Sequence, residues 1–300
     1  MIVLITGATG LIGTEITRQA KAKGHTVHYL TTSRDKMVSE SNYKGFYWNT
    51  QTGEVDTNCL QGATKIINLA GASISERWTE NHKRAILDSR INSIQTLYTL
   101  LSENEHTIDQ FCSASALGIY PSSLTNKYSE EETEINAGFL GKVVQTWENE
   151  ADLIAKLGID LAKIRIGIVL ANKGGALQEM AKPIKKGIGA AIGSGKQWQS
   201  WIHINDLARL FLYVIEHKIT GIFNAVASNP VTNQELTKAL AQSLDKSIFL
   251  PNVPKFAIKL VLGEMAAITL ESQYLLNDKI KSKGFDFKFD QLDHALGDLF

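Results

Sequence analysis

Short apolar runs and helix-spaced apolar stripes alternate along the chain from its first residues. Ile2–Ile5, Thr26–Leu30, Lys65–Leu69 and Gln110–Ser113 read as strands, while the stretches beginning at Leu11 and at about Trp78 carry the 3.6-residue spacing of helices. The runs I-V-L-I and K-I-I-N-L-A are apolar at successive positions, so helices must cover both faces of the sheet they build. The pattern predicts βαβ units in an α/β fold with a doubly wound parallel sheet.

A strand over Lys163–Leu170 follows, and then the texture changes. K-G-G-A at 173–176 and G-I-G-A-A-I-G-S-G-K at 187–196 are dense in glycine, which marks turns or close backbone approach. Helical spacing returns at Ile204–Glu216, a strand at Gly221–Ala227, and helices at about Thr232–Leu244 and Lys255–Gln273, the last two separated by Pro251 and Pro254. The expected organisation is a doubly wound α/β domain over residues 1–227, with a loop insertion at 170–200 that contributes to a substrate cleft. A small helical C-terminal subdomain over 228–300 completes it. Trp198 and Trp201 read as cleft wall or as core, and the apolar face at Phe256–Leu262 as core or as a partner surface.

Charge narrows the function classes. Lys plus Arg and Asp plus Glu number 31 each, so no excess draws the chain to nucleic acid or to anionic lipid. Two cysteines, Cys59 and Cys112, make neither a disulfide framework nor a metal-ligand spacing. No apolar run reaches 18 residues, and M-I-V-L-I-T-G turns too early for a signal peptide. The expectation is a cytoplasmic protein that acts on a small molecule, without metal, nucleic acid or membrane.

Gly7-Ala8-Thr9-Gly10-Leu11-Ile12-Gly13 lies between the first strand and the first helix. Glycines there permit a tight turn and close approach of a pyrophosphate to the helix N-terminus. The second strand runs into Thr32, Ser33 and Arg34 in place of a carboxylate, and hydroxyls with a guanidinium suit a 2′-phosphate, so NADP is the expected cofactor. Leu69, Ala70 and Gly71 bring a small-residue backbone to the same sheet edge as further cofactor contacts. Ser113-Ala114-Ser115 ends the next strand with hydroxyls that could bond a substrate carbonyl or cap the strand.

G-A-T-G-L-I-G, N-L-A-G near 70, S-A-S near 114 and W-I-H-I-N-D-L-A at 201–208 together resemble an extended short-chain dehydrogenase/reductase with a Rossmann domain. R-I-G-I-V-L at 165–170, G-G-A-L at 174–177 and L-G-E-M-A at 262–266 narrow the resemblance to the atypical branch of epimerase family proteins. The resemblance spans nearly the whole chain. It implies an oxidoreductase or epimerase acting on a small or nucleotide-linked carbonyl or hydroxyl substrate, and a homodimer. Arg90 stands where such enzymes tend to carry an active-site Asn, and is a candidate either for binding an anionic group of cofactor or substrate or for an inter-helix ion pair.

The same resemblance implies a Tyr-x-x-x-Lys proton relay, and none of the eight tyrosines is followed four residues on by a lysine. Alignment on W-E-x-x-A at 147–151 puts Leu140 and Val144 at the two positions, with Lys142 rotated by about 200° from that face. Ser113, Ser115 and Tyr120 remain as catalytic candidates, Tyr120 either as a proton donor or as a loop anchor. The alternative is a dinucleotide-binding sensor or interaction protein without catalysis.

Overall fold

The computed structural model describes all 300 residues, Met1–Phe300. Seven parallel strands form its centre: β1 (Ile2–Thr6), β2 (Thr26–Thr31), β3 (Tyr43–Asn49), β4 (Ala63–Asn68), β5 (Gln110–Ala116), β6 (Asp160–Ile166) and β7 (Gly221–Ala225). Their order is β7-β6-β5-β4-β1-β2-β3, and two short antiparallel strands, Ser39–Glu40 and Glu54–Val55, extend the β3 side. The order reverses between β1 and β4, which opens a crevice at the carboxyl ends of those strands. Helices α1 (Leu11–Ala22) and α5 (Ile204–Glu216) pack together, as do α2 (Glu80–Glu103) and α3 (Phe139–Ala155). The doubly wound α/β expectation is met.

Burial explains the strand sequences. Val3, Leu4, Ile5, Ile66, Ile67 and Phe111 are fully covered, so an apolar residue at every position is what a two-sided sheet requires. One sheet member, β3, is absent from the expected strands; its Y-K-G-F-Y-W-N leaves Lys44 and Tyr47 outside the core, which weakens the apolar signal.

Three expectations are corrected. Lys163–Leu170 is two strands, because at Gly167 the chain leaves β7 and pairs Ile168–Leu170 with Trp201–His203. A Cβ on Gly167 would stand 2.4 Å from the Ser200 carbonyl oxygen, so only glycine fits this crossing. Within the 170–200 segment lies a helix, α4 (Gly175–Lys185), whose Leu177, Ala181 and Ile184 share one buried face. Helix α6 (Asn233–Ser243) follows with a Thr232–Glu235 capping box. The single helix expected over Lys255–Gln273 breaks at Gly263, φ +60°, after α7 (Lys255–Leu262).

A second core joins these late elements. Leu177 and Ile184 of α4, Trp201, Leu236 and Leu240 of α6, and Leu292 and Leu296 of the C-terminal helix Leu292–Leu299 pack together. Trp201 is thus core, its Nε1 donating to the Asn229 carbonyl at 3.0 Å, whereas Trp198 is half-buried against Tyr274.

Candidate dinucleotide site and substrate cleft

The crevice begins where β1 ends. Gly7 takes φ +70°, and the Gly10 amide closes the turn on the Gly7 carbonyl at 3.0 Å. Gly10 caps α1 without a side chain, the first turn has no acidic residue, and the amides of Leu11, Ile12 and Gly13 find no acceptor in the chain. A Cβ on Gly13 would stand 2.2 Å from the Gly7 oxygen, so the third glycine lets helix and turn close up. Open donors and the positive end of a helix fit a pyrophosphate. Thr9 is exposed on the turn.

Thr6 ties the crevice together. Its hydroxyl donates to Asn68 Oδ1 at 2.6 Å and accepts from the amides of Leu69 and Ala70 at 3.0 and 3.1 Å, locking the tips of β1 and β4. Gly71 then comes to the surface above Arg90.

Arg90 is the uncompensated charge of the site. Its Nη1 donates to the carbonyls of Ile86 at 2.8 Å and Ala72 at 3.3 Å, and its guanidinium lies 5.0 Å from the Trp147 ring centre, with no carboxylate in reach. Desolvation pulls its pKa down to about 10. It has no ion-pair partner, so the inter-helix salt bridge is excluded.

At the tip of β2, Thr32 and Arg34 are exposed and the Ser33 amide donates to Thr31 Oγ1 at 3.2 Å. Arg34 stacks 3.8 Å over the Tyr47 ring of β3 and reaches Glu54 only at 3.5 Å. This stacked, loosely paired guanidinium is free to meet another anion.

The catalytic candidates lie on the other side of the crevice, and two of the three meet in a buried network. Ser115 donates to Glu148 Oε1 at 2.5 Å, and Arg165 grips both Glu148 oxygens at 2.8 and 2.9 Å. Arg165 also donates to the Tyr120 hydroxyl at 2.8 Å, which donates to Asn224 Oδ1 at 2.7 Å. Burial would raise the Glu148 carboxyl, but Arg165 outweighs it and the group ends below the ordinary carboxylate range. For Tyr120 burial prevails over Arg165 and lifts the phenol to about 12. Tyr120 is 1 % exposed and both its bonding directions are taken, as befits a loop anchor. Ser113 stands apart, bonded to the Ala114 carbonyl at 3.0 Å.

Glu148, Arg165 and Asn224, the buried partners of Ser115 and Tyr120, are residues that sequence reasoning missed. The available signal was spacing: Leu140, Val144 and Glu148 follow at i, i+4 and i+8 on α3 and share one face. Leu140 packs on Gly118 and Val144 on Tyr120 and Tyr128, while Lys142 is exposed, as its rotation predicts.

H-x-x-D at 203–206 is structural. His203 caps α5 by accepting the Asn205 amide at 3.1 Å, and Asp206 accepts the amides of Lys288 at 3.1 Å and Phe289 at 2.7 Å. Nowhere do three His, Cys, Asp or Glu side chains gather as a metal site.

Known proteins share this geometry. Residues 3–225 match the model of the NAD dependent epimerase/dehydratase family, and residues 253–299 that of a domain of unknown function, DUF1731. An epimerase family protein of Staphylococcus epidermidis is 36% identical over 304 residues, covering 99% of this chain and 98% of the relative. The human epimerase family protein SDR39U1, solved with NADPH, superposes with a TM-score of 0.88 at 28% identity, over 100% of this chain and 99% of that one. A nucleoside-diphosphate sugar epimerase of Corynebacterium glutamicum gives 0.78 at 28% identity, with this chain covering 58% of it. A glycine turn at the switch point of a parallel sheet, a family match across β1 to β7 and a relative 36% identical over nearly the whole of both chains lead to one conclusion: the chain belongs to the NAD dependent epimerase/dehydratase family.

Proposed function

We propose that the protein binds NADP(H) across the β1–β4 crevice and is an oxidoreductase or epimerase of a small or nucleotide-linked carbonyl or hydroxyl substrate. The observation that carries the reading is the open α1 N-terminus combined with the exposed, ring-stacked Arg34 at the β2 tip, whose one carboxylate contact, Glu54, lies at 3.5 Å. The human relative solved with NADPH supports the choice of dinucleotide. Leu11, Ile12 and Gly13 amides would hold the pyrophosphate, Thr32, Ser33 and Arg34 the 2′-phosphate, and Leu69, Ala70 and Gly71 the backbone-facing side of the cofactor. When bound, the nicotinamide supplies or takes up hydride. Arg90 brings a positive charge to the same edge for an anionic group of cofactor or substrate.

Proton handling differs from the Tyr-x-x-x-Lys pattern. Ser115 spends its proton on Glu148 and at 2% exposure is as enclosed as Tyr120, so it holds the Glu148 carboxylate in place beneath the cleft. The proton passes to water or between substrate groups, since Tyr120 is enclosed.

A titration tests the cofactor. Arg34→Ala should weaken NADPH at least about tenfold through loss of the charged bond to the 2′-phosphate, and leave NADH within about twofold. Equal losses for both dinucleotides sink the assignment. Nicotinamide absorbance, followed with sugar-nucleotide, quinone and small carbonyl panels, tests the chemistry; turnover that Ser115→Ala removes supports the enzyme. The apolar pair Leu140 and Val144 favours a second reading, a dinucleotide sensor or interaction protein, for which tight NADPH binding without turnover is the expected result.

A further inference from the structure

Balanced overall charge conceals a segregated surface. Between Lys182 and Lys196 and between Lys246 and Val261 the chain carries seven lysines and no Asp or Glu. Far apart in sequence, these two segments run side by side: Gly193 donates to the Val253 carbonyl and Val253 to the Ala191 carbonyl, both at 2.8 Å. Gly189 comes against Ile248 and Gly193 against Lys255. All seven lysines are exposed, and only Lys182 has a carboxylate partner, Glu179.

Apolar side chains stand among them. Ile188, Phe249, Leu250, Phe256, Leu260 and Val261 are the exposed large hydrophobics of this lobe, with Phe249 at 87%, Leu260 at 81% and Phe256 at 74%. On α7 the half-buried Ala257, Ile258 and Leu262 face the protein, Phe256 and Leu260 point away, and Lys255 and Lys259 flank them one position behind.

We propose that this lobe docks the protein on an anionic lipid surface. Lysines around protruding Phe and Leu side chains are what an interfacial segment needs: apolar groups that enter the boundary of headgroups and acyl chains, and cations that meet lipid phosphates. Side chains as exposed as Phe249 and Leu260 line no groove, which a peptide ligand would require and a bilayer does not. A second copy on a twofold axis would set seven lysines against seven, with no acid in either segment to relieve them. No helix is long and apolar enough to cross a membrane, so the contact is peripheral. The segment that follows α7 anchors the lobe on the main domain, since Met265, Ala267 and Ile268 pack against the cluster of Trp78, Ile86 and Val143.

The test is sedimentation of the full chain with vesicles of phosphatidylcholine alone or with about 30 mol % phosphatidylglycerol. Binding is expected to the anionic vesicles only and to fall away in about 0.5 M salt. Phe256→Ser/Leu260→Ser and Lys255→Glu/Lys259→Glu should each weaken it at least about tenfold, since both apolar entry and charge are needed. Unchanged melting temperatures show that these variants still fold. Failure of the unaltered chain to bind anionic vesicles overturns the proposal, as does equal binding by the variants. A dimer in light scattering that Phe256→Ser/Leu260→Ser dissolves, with no vesicle binding, assigns the face to a second copy instead.

Discussion

Arg165→Met removes the cation that holds Glu148. The two side chains are 7% and 8% exposed, so the carboxylate left behind is desolvated and keeps only the Ser115 hydroxyl. Breaking a buried pair by deleting one partner costs about 3–5 kcal/mol. In a chain of this size about 1 kcal/mol corresponds to roughly 2 °C, so the melting temperature at neutral pH should fall by about 6–10 °C. In the native protein the Glu148 carboxyl lies below its ordinary range, and its contribution is present above the unfolded value and lost as pH falls through the folded one. Removing Arg165 leaves burial to dominate, which raises the folded pKa above the unfolded value of about 4.3. The variant then binds more protons folded than unfolded, and its deficit should shrink from pH 7 towards pH 5 (about two units of acidification). Glu148→Gln/Arg165→Met should recover at least about 2 kcal/mol of the loss, measured by urea unfolding as a double-mutant cycle. A single variant within about 1 kcal/mol of the native chain, or a deficit that grows on acidification, refutes the reasoning.

Three further outcomes can be checked. Gly13→Ala must displace a turn whose oxygen would lie 2.2 Å from the new carbon, and NADPH affinity should fall at least about tenfold in calorimetry while the circular dichroism spectrum is kept. Asp206→Ala strips the Lys288 amide and the buried Phe289 amide of their acceptor and should cost about 3 kcal/mol, with faster proteolysis of the chain beyond residue 284. Tyr120→Phe loses two buried hydrogen bonds, lowers stability by about 1–2 kcal/mol, and leaves NADPH binding unchanged; an intact stability with lost turnover would return Tyr120 to the proton donors.

Features that depend on neighbours along the chain are legible in the sequence by itself. The apolar runs of β1 and β4 announce a sheet buried on both faces, because a strand without a polar face has nowhere else to lie. The glycine turn at 7–13 reads directly, since its conformation and helix start are set within seven residues. That no tyrosine is followed four residues on by a lysine is a matter of spacing, and Leu140 and Val144 lie about one turn apart on α3. Which distant groups meet is not written locally. Tyr120 looks available in sequence, but Arg165 and Asn224, 45 and 104 residues on, close over its hydroxyl. Arg90 could pair with a carboxylate by residue type, yet its surroundings hold only carbonyls and a ring. Net charge sums to zero, while the pairing of residues 191–193 with 253 gathers lysines into one lobe. Composition is a sum over the chain and periodicity a property of a few turns. Partners across the sheet and charge per unit of surface are set only when the tertiary fold brings residues far apart in sequence together.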